Sequence, residues 1–178
     1  MKELIIKYHG DTLAAKIKYG LPVGEKAVKY AKCFENKYPP YRMKMSGKHN
    51  GVVLINDSGA SGIHATYFSL QQINAPVIWI VWNDEADAAF EQMDLALLHR
   101  VKKIIVIGKA YLKLDYLFGQ ETCVEEAGYL EDAFRRALKD AQAGDYILFS
   151  PATKKIEGIG SSKELYEHTE KVLKKYIK

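Results

Sequence analysis

The sequence predicts an α/β protein: a Rossmann-like, doubly wound, mostly parallel sheet with flanking helices and a short helical N-terminal arm. Three observations carry this. From residue 51 onward, four short runs are apolar without alternation, as in strands buried on both faces. The segments between them have helical spacing. Each run stops at small or polar residues, as at the ends of parallel strands joined by crossover helices.

The strand runs are Gly51–Asn56, Pro76–Trp82, Lys103–Ile107 and Asp145–Phe149. Helical faces are formed by Ile63, Tyr67, Leu70 and Ile73; by Ala86, Phe90, Met93 and Leu97; by Ala127, Leu130, Phe134, Ala137 and Leu138; and by Leu165, Thr169, Val172, Leu173 and Tyr176. Gly144 and Asp145 stop the third helix and re-enter a strand. Ala110–Gln120 fits a short helix or a loop, and Glu121–Val124 a short strand. Upstream, Asp11–Tyr19 and Glu25–Asn36 read as helices, Tyr38-Pro39-Pro40-Tyr41 as a rigid linker, and Met43–Met45 as an edge strand. The domains expected are therefore residues 1–40, a helical arm and hinge, and 41–178, the α/β domain.

At 178 residues, with 48% apolar and 27% charged side chains, the chain is long enough for one real core and is not of disordered composition. No apolar run approaches the roughly 20 residues of a membrane span. Cys33 and Cys123 are far apart and lack a zinc-like spacing, so a reducing, cytoplasmic setting is expected. The net charge of +4 is uneven: residues 1–48 carry +7, residues 49–150 carry −6, and the remainder +3. A basic arm suits nucleic acid or an acidic membrane surface. Lysine dominates it, however, and no base-reading motif accompanies it, so a solvated helix surface is the better reading.

Ligands of open α/β sheets collect outside the carboxyl ends of the strands. Here those ends carry Asp57-Ser58-Gly59, Asn83-Asp84-Glu85, Gly108-Lys109 and Ser150-Pro151-Ala152. The same residue types also simply turn chains. The sequence has no GxxxxGK[ST] phosphate loop and no GxSxG elbow. Gly158-Ile159-Gly160-Ser161-Ser162 falls short of GxGxxG, and the five histidines show no metal-ligand spacing. His64 falls near the crevice, but a solvated helix start is the better reading of it. Asp57 is the strongest single candidate. It suits a ribose hydroxyl or a metal-bound phosphate, and it equally suits capping of the following helix.

Tyr41-Arg42-Met43 followed by Gly51–Ser61, then Ala143-Gly144-Asp145-Tyr146-Ile147-Leu148-Phe149-Ser150-Pro151-Ala152, resembles the Mur ligases, and most of all their D-glutamate-adding branch. Tyr19-Gly20-Leu21-Pro22 through Phe34 is similar to the helical tail of that family's central domain. The resemblance covers about residues 12–178. It implies the C-terminal domain of an ATP-dependent, amide-forming enzyme of peptidoglycan synthesis, which closes over nucleotide and positions the incoming amino acid. Carried over position by position, it implies nucleotide contacts at Arg42 and Asp57 and substrate contacts at Ser58, Ser61 and Ser150. No catalytic residue and no metal ligand is implied in this chain.

ATP and magnesium follow from the family, as do partner domains carrying the phosphate loop and a UDP-muramoyl substrate. Without that loop the isolated chain is expected to be inactive. Neither nucleic acid nor a membrane span is expected. The sequence departs from the family pattern at Gly59, where a lysine is usual. It departs again at Asn83-Asp84-Glu85, where Gly-Gly and a later lysine are usual, and at Thr153–Gly160. Each lost charge-assisted hydrogen bond is worth about 1.5–3 kcal/mol. The alternative is a stand-alone nucleotide- or ligand-binding or regulatory module derived from that domain, without ligase activity.

Overall fold

The computed structural model describes residues 3–8, 11–16, 40–85, 88–93 and 99–177. The chain divides into two units, residues 1–40 and 41–178.

In the first unit, β1 (Glu3–Tyr8) and β2 (Asp11–Lys16) form an antiparallel hairpin running from the Glu3–Lys16 pair to the Tyr8–Asp11 pair. This corrects the helix expected over Asp11–Tyr19. Two residues, His9 and Gly10, separate the strands, which is hairpin-loop length, and Ile5, Ile6 and Thr12 are β-branched. Pairing with β1 outweighs the helical spacing. The helix expected over Glu25–Asn36 lies outside the described residues.

The second unit is a six-stranded sheet between helices. Its strands are β3 (Lys44–His49), β4 (Val52–Asn56), β5 (Val77–Trp82), β6 (Val101–Ile107), β7 (Cys123–Glu126) and β8 (Tyr146–Phe149). Their spatial order is β3-β4-β8-β5-β6-β7, with only the β3–β4 pair antiparallel. The four apolar runs form β4, β5, β6 and β8. β4 is buried along its whole length, as the absence of alternation requires. β3 extends past the predicted Met43–Met45 because Asn50 (φ 48°) and Gly51 (φ 83°) form a left-handed two-residue turn back into β4.

Helices α1 (Ile63–Gln72) and α2 (Tyr111–Phe118) lie on one face, packed through Leu70, Leu114 and Phe118 with Trp79 and Phe90. Helices α3 (Leu130–Asp140) and α4 (Ser162–Leu173) cover the other, through Leu130, Phe134, Leu165 and Val172 with Ile80 and Phe149. Of the helical face expected from Ala86, Phe90, Met93 and Leu97, Ala86 and Leu97 lie outside the described residues; the described part holds a 3₁₀ turn, Phe90–Gln92, and Phe90 and Met93 are buried. Gly158–Ser162 leads into α4. Ser161 accepts from the Glu164 N–H at 3.1 Å, and the Glu164 carboxylate accepts from the Gly160 N–H at 2.8 Å. That exchange caps the helix and explains the glycine-serine run without a phosphate.

The crossover order places β8 between β4 and β5. The winding reverses there, and the carboxyl ends of these three strands adjoin.

Candidate functional site

At that reversal Asp57 follows β4 and is fully buried. Its backbone N–H continues the β4–β8 ladder by donating to the Phe149 carbonyl at 2.8 Å. Its carboxylate takes four donors. Oδ1 accepts from Arg42 Nε at 2.6 Å and from the Met43 N–H at 2.9 Å. Oδ2 accepts from the hydroxyls of Ser69 at 2.6 Å and Ser150 at 2.8 Å. About four lone-pair positions are available on a carboxylate, so Asp57 is saturated. A buried charge is tolerated under just such pairing.

Arg42 is held as firmly. Its Nη2 donates to the Ala65 carbonyl and to Ser69 Oγ, each at 2.9 Å, and among the described residues these partners leave Nη1 unengaged. The residues on either side of Arg42 have left-handed backbones, Tyr41 at φ 70° and Met43 at φ 46°. Their backbone groups fasten the turn: the Tyr41 carbonyl accepts from the Gly59 N–H at 2.8 Å, and the Met43 N–H reaches Asp57. Strained non-glycine residues of this kind gather at functional sites.

Ser150 closes the network. Its hydroxyl lies 2.7 Å from Thr66 Oγ1, and its carbonyl accepts from the Trp79 indole N–H at 2.9 Å. Ser58, also buried, belongs to a second network: it donates to Asn56 Oδ1 at 2.5 Å, while Asn56 Nδ2 donates to Glu170 at 2.8 Å. Ser61 stands apart, exposed immediately before Gly62, the N-cap of α1. The structure thus joins Arg42, Asp57 and Ser150, sets Ser58 beside them on a separate network, and leaves Ser61 and His64 open to solvent.

Thr66 and Ser69 belong to this network and are missed by the helical pattern. They are two hydroxyls three positions apart on α1, both buried. That spacing beside an apolar face is the available signal. Tyr166 of α4 is missed as well: its ring lies 5.1 Å from that of Tyr41, and the Lys44 ammonium sits 5.1 Å from the Tyr166 centroid. A hydrogen bond with Tyr166 holds Lys44 above the usual lysine range, with burial opposing it.

The donor set suits an anion. Arg42 Nη1 is unengaged among the described residues, and the first turn of α1 has neither an acidic residue nor a side-chain cap on Gly62. Its leading N–H groups and the helix dipole favour negative charge. Among the described residues no group of three His, Cys, Asp or Glu side chains is placed to hold a metal ion.

No family model matches the chain. Curated relatives do. The chain is 28% identical over 141 residues to the UDP-N-acetylmuramoylalanine--D-glutamate ligase of Cytophaga hutchinsonii, covering 79% of this chain and 31% of that protein. Relatives of the same name from other bacteria match 63–79% of this chain at 25–30% identity. This chain resembles a Mur ligase C-terminal domain. It spans about a quarter to a third of the length of the curated Mur ligases it matches.

Two solved structures share the α/β fold of that Mur ligase domain. A MurF ligase from Thermotoga maritima in complex with ADP superposes with a TM-score of 0.51 at 14% identity, covering 96% of this chain and 46% of that one. A bifunctional folylpolyglutamate synthase/dihydrofolate synthase from Yersinia pestis, complexed with AMPPNP and manganese, gives 0.50 at 17% identity over 86% of this chain and 35% of that one. Among the described residues no helix is long and apolar enough to cross a membrane.

Proposed function

We propose that the chain acts as the C-terminal domain of an ATP-dependent, cytoplasmic Mur-type ligase of the D-glutamate-adding branch. In this reading it closes over nucleotide and positions the incoming amino acid, and it is not catalytic alone. The observation that carries the reading is the Arg42–Asp57–Ser150 network at the point where the sheet winding reverses. The matched relatives carry the ligase name, and two neighbours of the same fold were solved with ADP or with AMPPNP and manganese.

Arg42 would meet the nucleotide directly through its open Nη1. Asp57 would serve by holding Arg42, since its own oxygens are filled. Ser61 and the first turn of α1 would face bound ligand, while Ser58 and Ser150 would order the floor beneath it. Residues 1–40 would supply the tail of the adjoining domain and the hinge. ATP supplies the phosphoryl group that activates a carboxylate when bound. Magnesium and the phosphate loop are assigned to the partner domains, as is the UDP-muramoyl substrate.

The test is titration of magnesium-ADP into the chain, read by calorimetry, with Arg42→Ala and Arg42→Lys alongside. Saturable binding is expected. Arg42→Ala should weaken it about tenfold or more, on the scale of one charge-assisted hydrogen bond. Arg42→Lys, which keeps the charge and loses the planar fork, should recover only part. Binding that ignores both substitutions would overturn the assignment.

The second reading, a ligand-binding module without ligase activity, is favoured by Gly59, where a lysine is expected, and by Asn83-Asp84-Glu85, where Gly-Gly and a later lysine are expected. Adding the chain to a ligase core that lacks this domain separates the two. Restored ADP release supports the first reading, and none supports the second.

A further inference from the structure

The turn after β4 is held from both faces of the sheet. Asp57 faces α1 through Ser69, whereas its neighbours Asn56 and Ser58 face α4, as alternation along a strand requires. Asn56 is fully buried, and every hydrogen-bonding position of its amide is filled. Oδ1 accepts from the Ser58 N–H at 3.2 Å and from the Ser58 hydroxyl at 2.5 Å. Nδ2 donates to the Tyr166 carbonyl at 3.3 Å and to Glu170 Oε1 at 2.8 Å. Donors on one side and acceptors on the other fix the amide in one orientation.

Glu170 Oε1 takes a second donor, the Ser46 hydroxyl, at 2.5 Å. Ser46 is the extra residue of β3: Met45 pairs with Ile55 and Gly47 with Leu54, so Ser46 has no partner on β4. Such a bulge shifts the alternation by one and re-aims side chains. Lys44 and Ser46 before the shift, and Gly47 and His49 after it, therefore all meet α4 or its tail. The Lys44 ammonium lies over the Tyr166 ring, a Cβ on Gly47 would stand 2.7 Å from Ile177 Cγ2, and His49 Nδ1 donates to the Tyr176 carbonyl at 2.6 Å.

One carboxylate oxygen thus ties α4 to two adjacent strands. β3 begins directly after Arg42 and Met43, and β4 ends directly before Asp57. These strands carry the two halves of the Arg42–Asp57 pair. Lys44 now stands opposite Asn56. Were the bulge lost with Gly47–His49 still in register, Met45 would stand there instead, and Arg42 would move one residue, about 3.4 Å, along β4. We infer that Glu170 is a positioning residue for the Arg42–Asp57 pair: it pins the β3 bulge to the Asn56 amide and so holds the register that brings Arg42 onto Asp57. The inference rests on the ligase reading only in making that pair the nucleotide contact.

The test uses the whole ¹⁵N-labelled chain and the Arg42 Nε–H resonance in NMR, identified by its absence from Arg42→Lys. Glu170→Ala removes the shared oxygen. Glu170→Gln keeps an oxygen that accepts from both Ser46 and Asn56. Val172→Ala opens a cavity under the same helix and reports lost stability alone. Glu170→Ala should shift or broaden the Arg42 signal, Glu170→Gln should restore it, and Val172→Ala should lower the unfolding midpoint and leave the signal in place. Ser46→Ala cuts the tie from the strand side and should move the signal as Glu170→Ala does, so the inference stays open to test should Glu170→Ala not fold. A signal unmoved by Ser46→Ala or Glu170→Ala, or moved as far by Glu170→Gln or Val172→Ala, overturns it.

Magnesium-ADP is titrated into the same samples. Glu170→Ala should weaken its binding about tenfold, the effect of one lost charge-assisted contact from Arg42, and Glu170→Gln should recover it. A wild type that binds ADP no better than Glu170→Ala does also overturns the inference. A wild type that binds no ADP counts against the ligase reading, and the Arg42 signal then decides the role of Glu170, so the two failures are distinct.

Discussion

Ser150 donates to Asp57 across the β4–β8 junction at 2.8 Å, from 93 positions away in the chain. The two residues stand one step beyond the last ladder pair, Asn56 with Phe149. The parallel register alone therefore brings a serine and an aspartate side by side, and Arg42 completes the site from outside the parallel strands.

Asp57→Asn removes the counter-ion of a half-buried Arg42 and replaces acceptors with an amide that carries its own donors. A loss of about 3–5 kcal/mol of stability is expected, the scale of breaking a buried pair from one side. Urea unfolding measures it. An Arg42→Met/Asp57→Asn double variant should be more stable than the sum of the two single losses predicts, and strict additivity would show that the two groups do not act as a unit.

Ser69→Ala leaves one Asp57 oxygen and one Arg42 hydrogen short of a partner. It should cost about 1–3 kcal/mol, the penalty of an unsatisfied buried group. Ser61→Ala, at an exposed position, should change stability by less than about 0.5 kcal/mol. It should weaken nucleotide or substrate binding if Ser61 meets ligand as proposed. Equal stability losses from the two variants would contradict the geometry.

Gly108→Ala forces a left-handed backbone on a residue with a side chain and drives its Cβ into the end of β5. Backbone strain alone predicts about 1–3 kcal/mol of destabilisation. Asp84→Ala removes one of the two clashing oxygens and leaves the Asn83 carbonyl, so the double variant should recover only part of the loss. Thermal unfolding of the three variants decides it.

An ion cluster on the β6–β7–α3 side sets an acid limb. The Lys103 ammonium and then the Arg136 guanidinium hold Glu125 below the usual carboxylate range, and Lys103 holds Asp140 down likewise. Burial works against the Lys103 charge, but its bonds to Asp140 and Glu125 outweigh that and raise it. Carboxylates depressed in the folded state stabilise it above their unfolded values, near pH 4, and that contribution is lost as pH falls through the folded values. The gap in urea midpoint between the wild type and Lys103→Met should therefore be widest near pH 7 and shrink towards pH 3. Because Lys103 is raised, the gap should also narrow as the pH climbs above about 10.5. A gap that does not change with pH would mean that Lys103 acts through packing alone.

Much of the candidate site is legible in the sequence. Asp57, Ser58 and Ser150 stand at the ends of strands whose apolar runs are unbroken, and only their carboxyl ends can face a ligand in a parallel sheet. The two hydroxyls of α1, Thr66 and Ser69, are not legible there. A helical pattern shows which residues are apolar together, whereas a buried hydroxyl shows its use only when a partner from another strand is beside it. The β1–β2 hairpin escapes the pattern for a related reason. A short segment such as Asp11–Lys16 fits either period, and pairing with a neighbour is what decides between them.

By itself the sequence determined the layers: which segments of the α/β unit are strands, which faces of the helices are apolar, and which strand ends carry polar chemistry. Those properties are local, fixed by residue type and spacing within a few turns of chain. The tertiary structure decided that β8 inserts between β4 and β5, that the Asp57 carboxylate is filled by four donors, and that Thr66 and Ser69 of α1 meet Ser150 and Asp57. Each of these depends on groups many residues apart meeting at hydrogen-bond or Coulomb range, and only the closed sheet sets such distances.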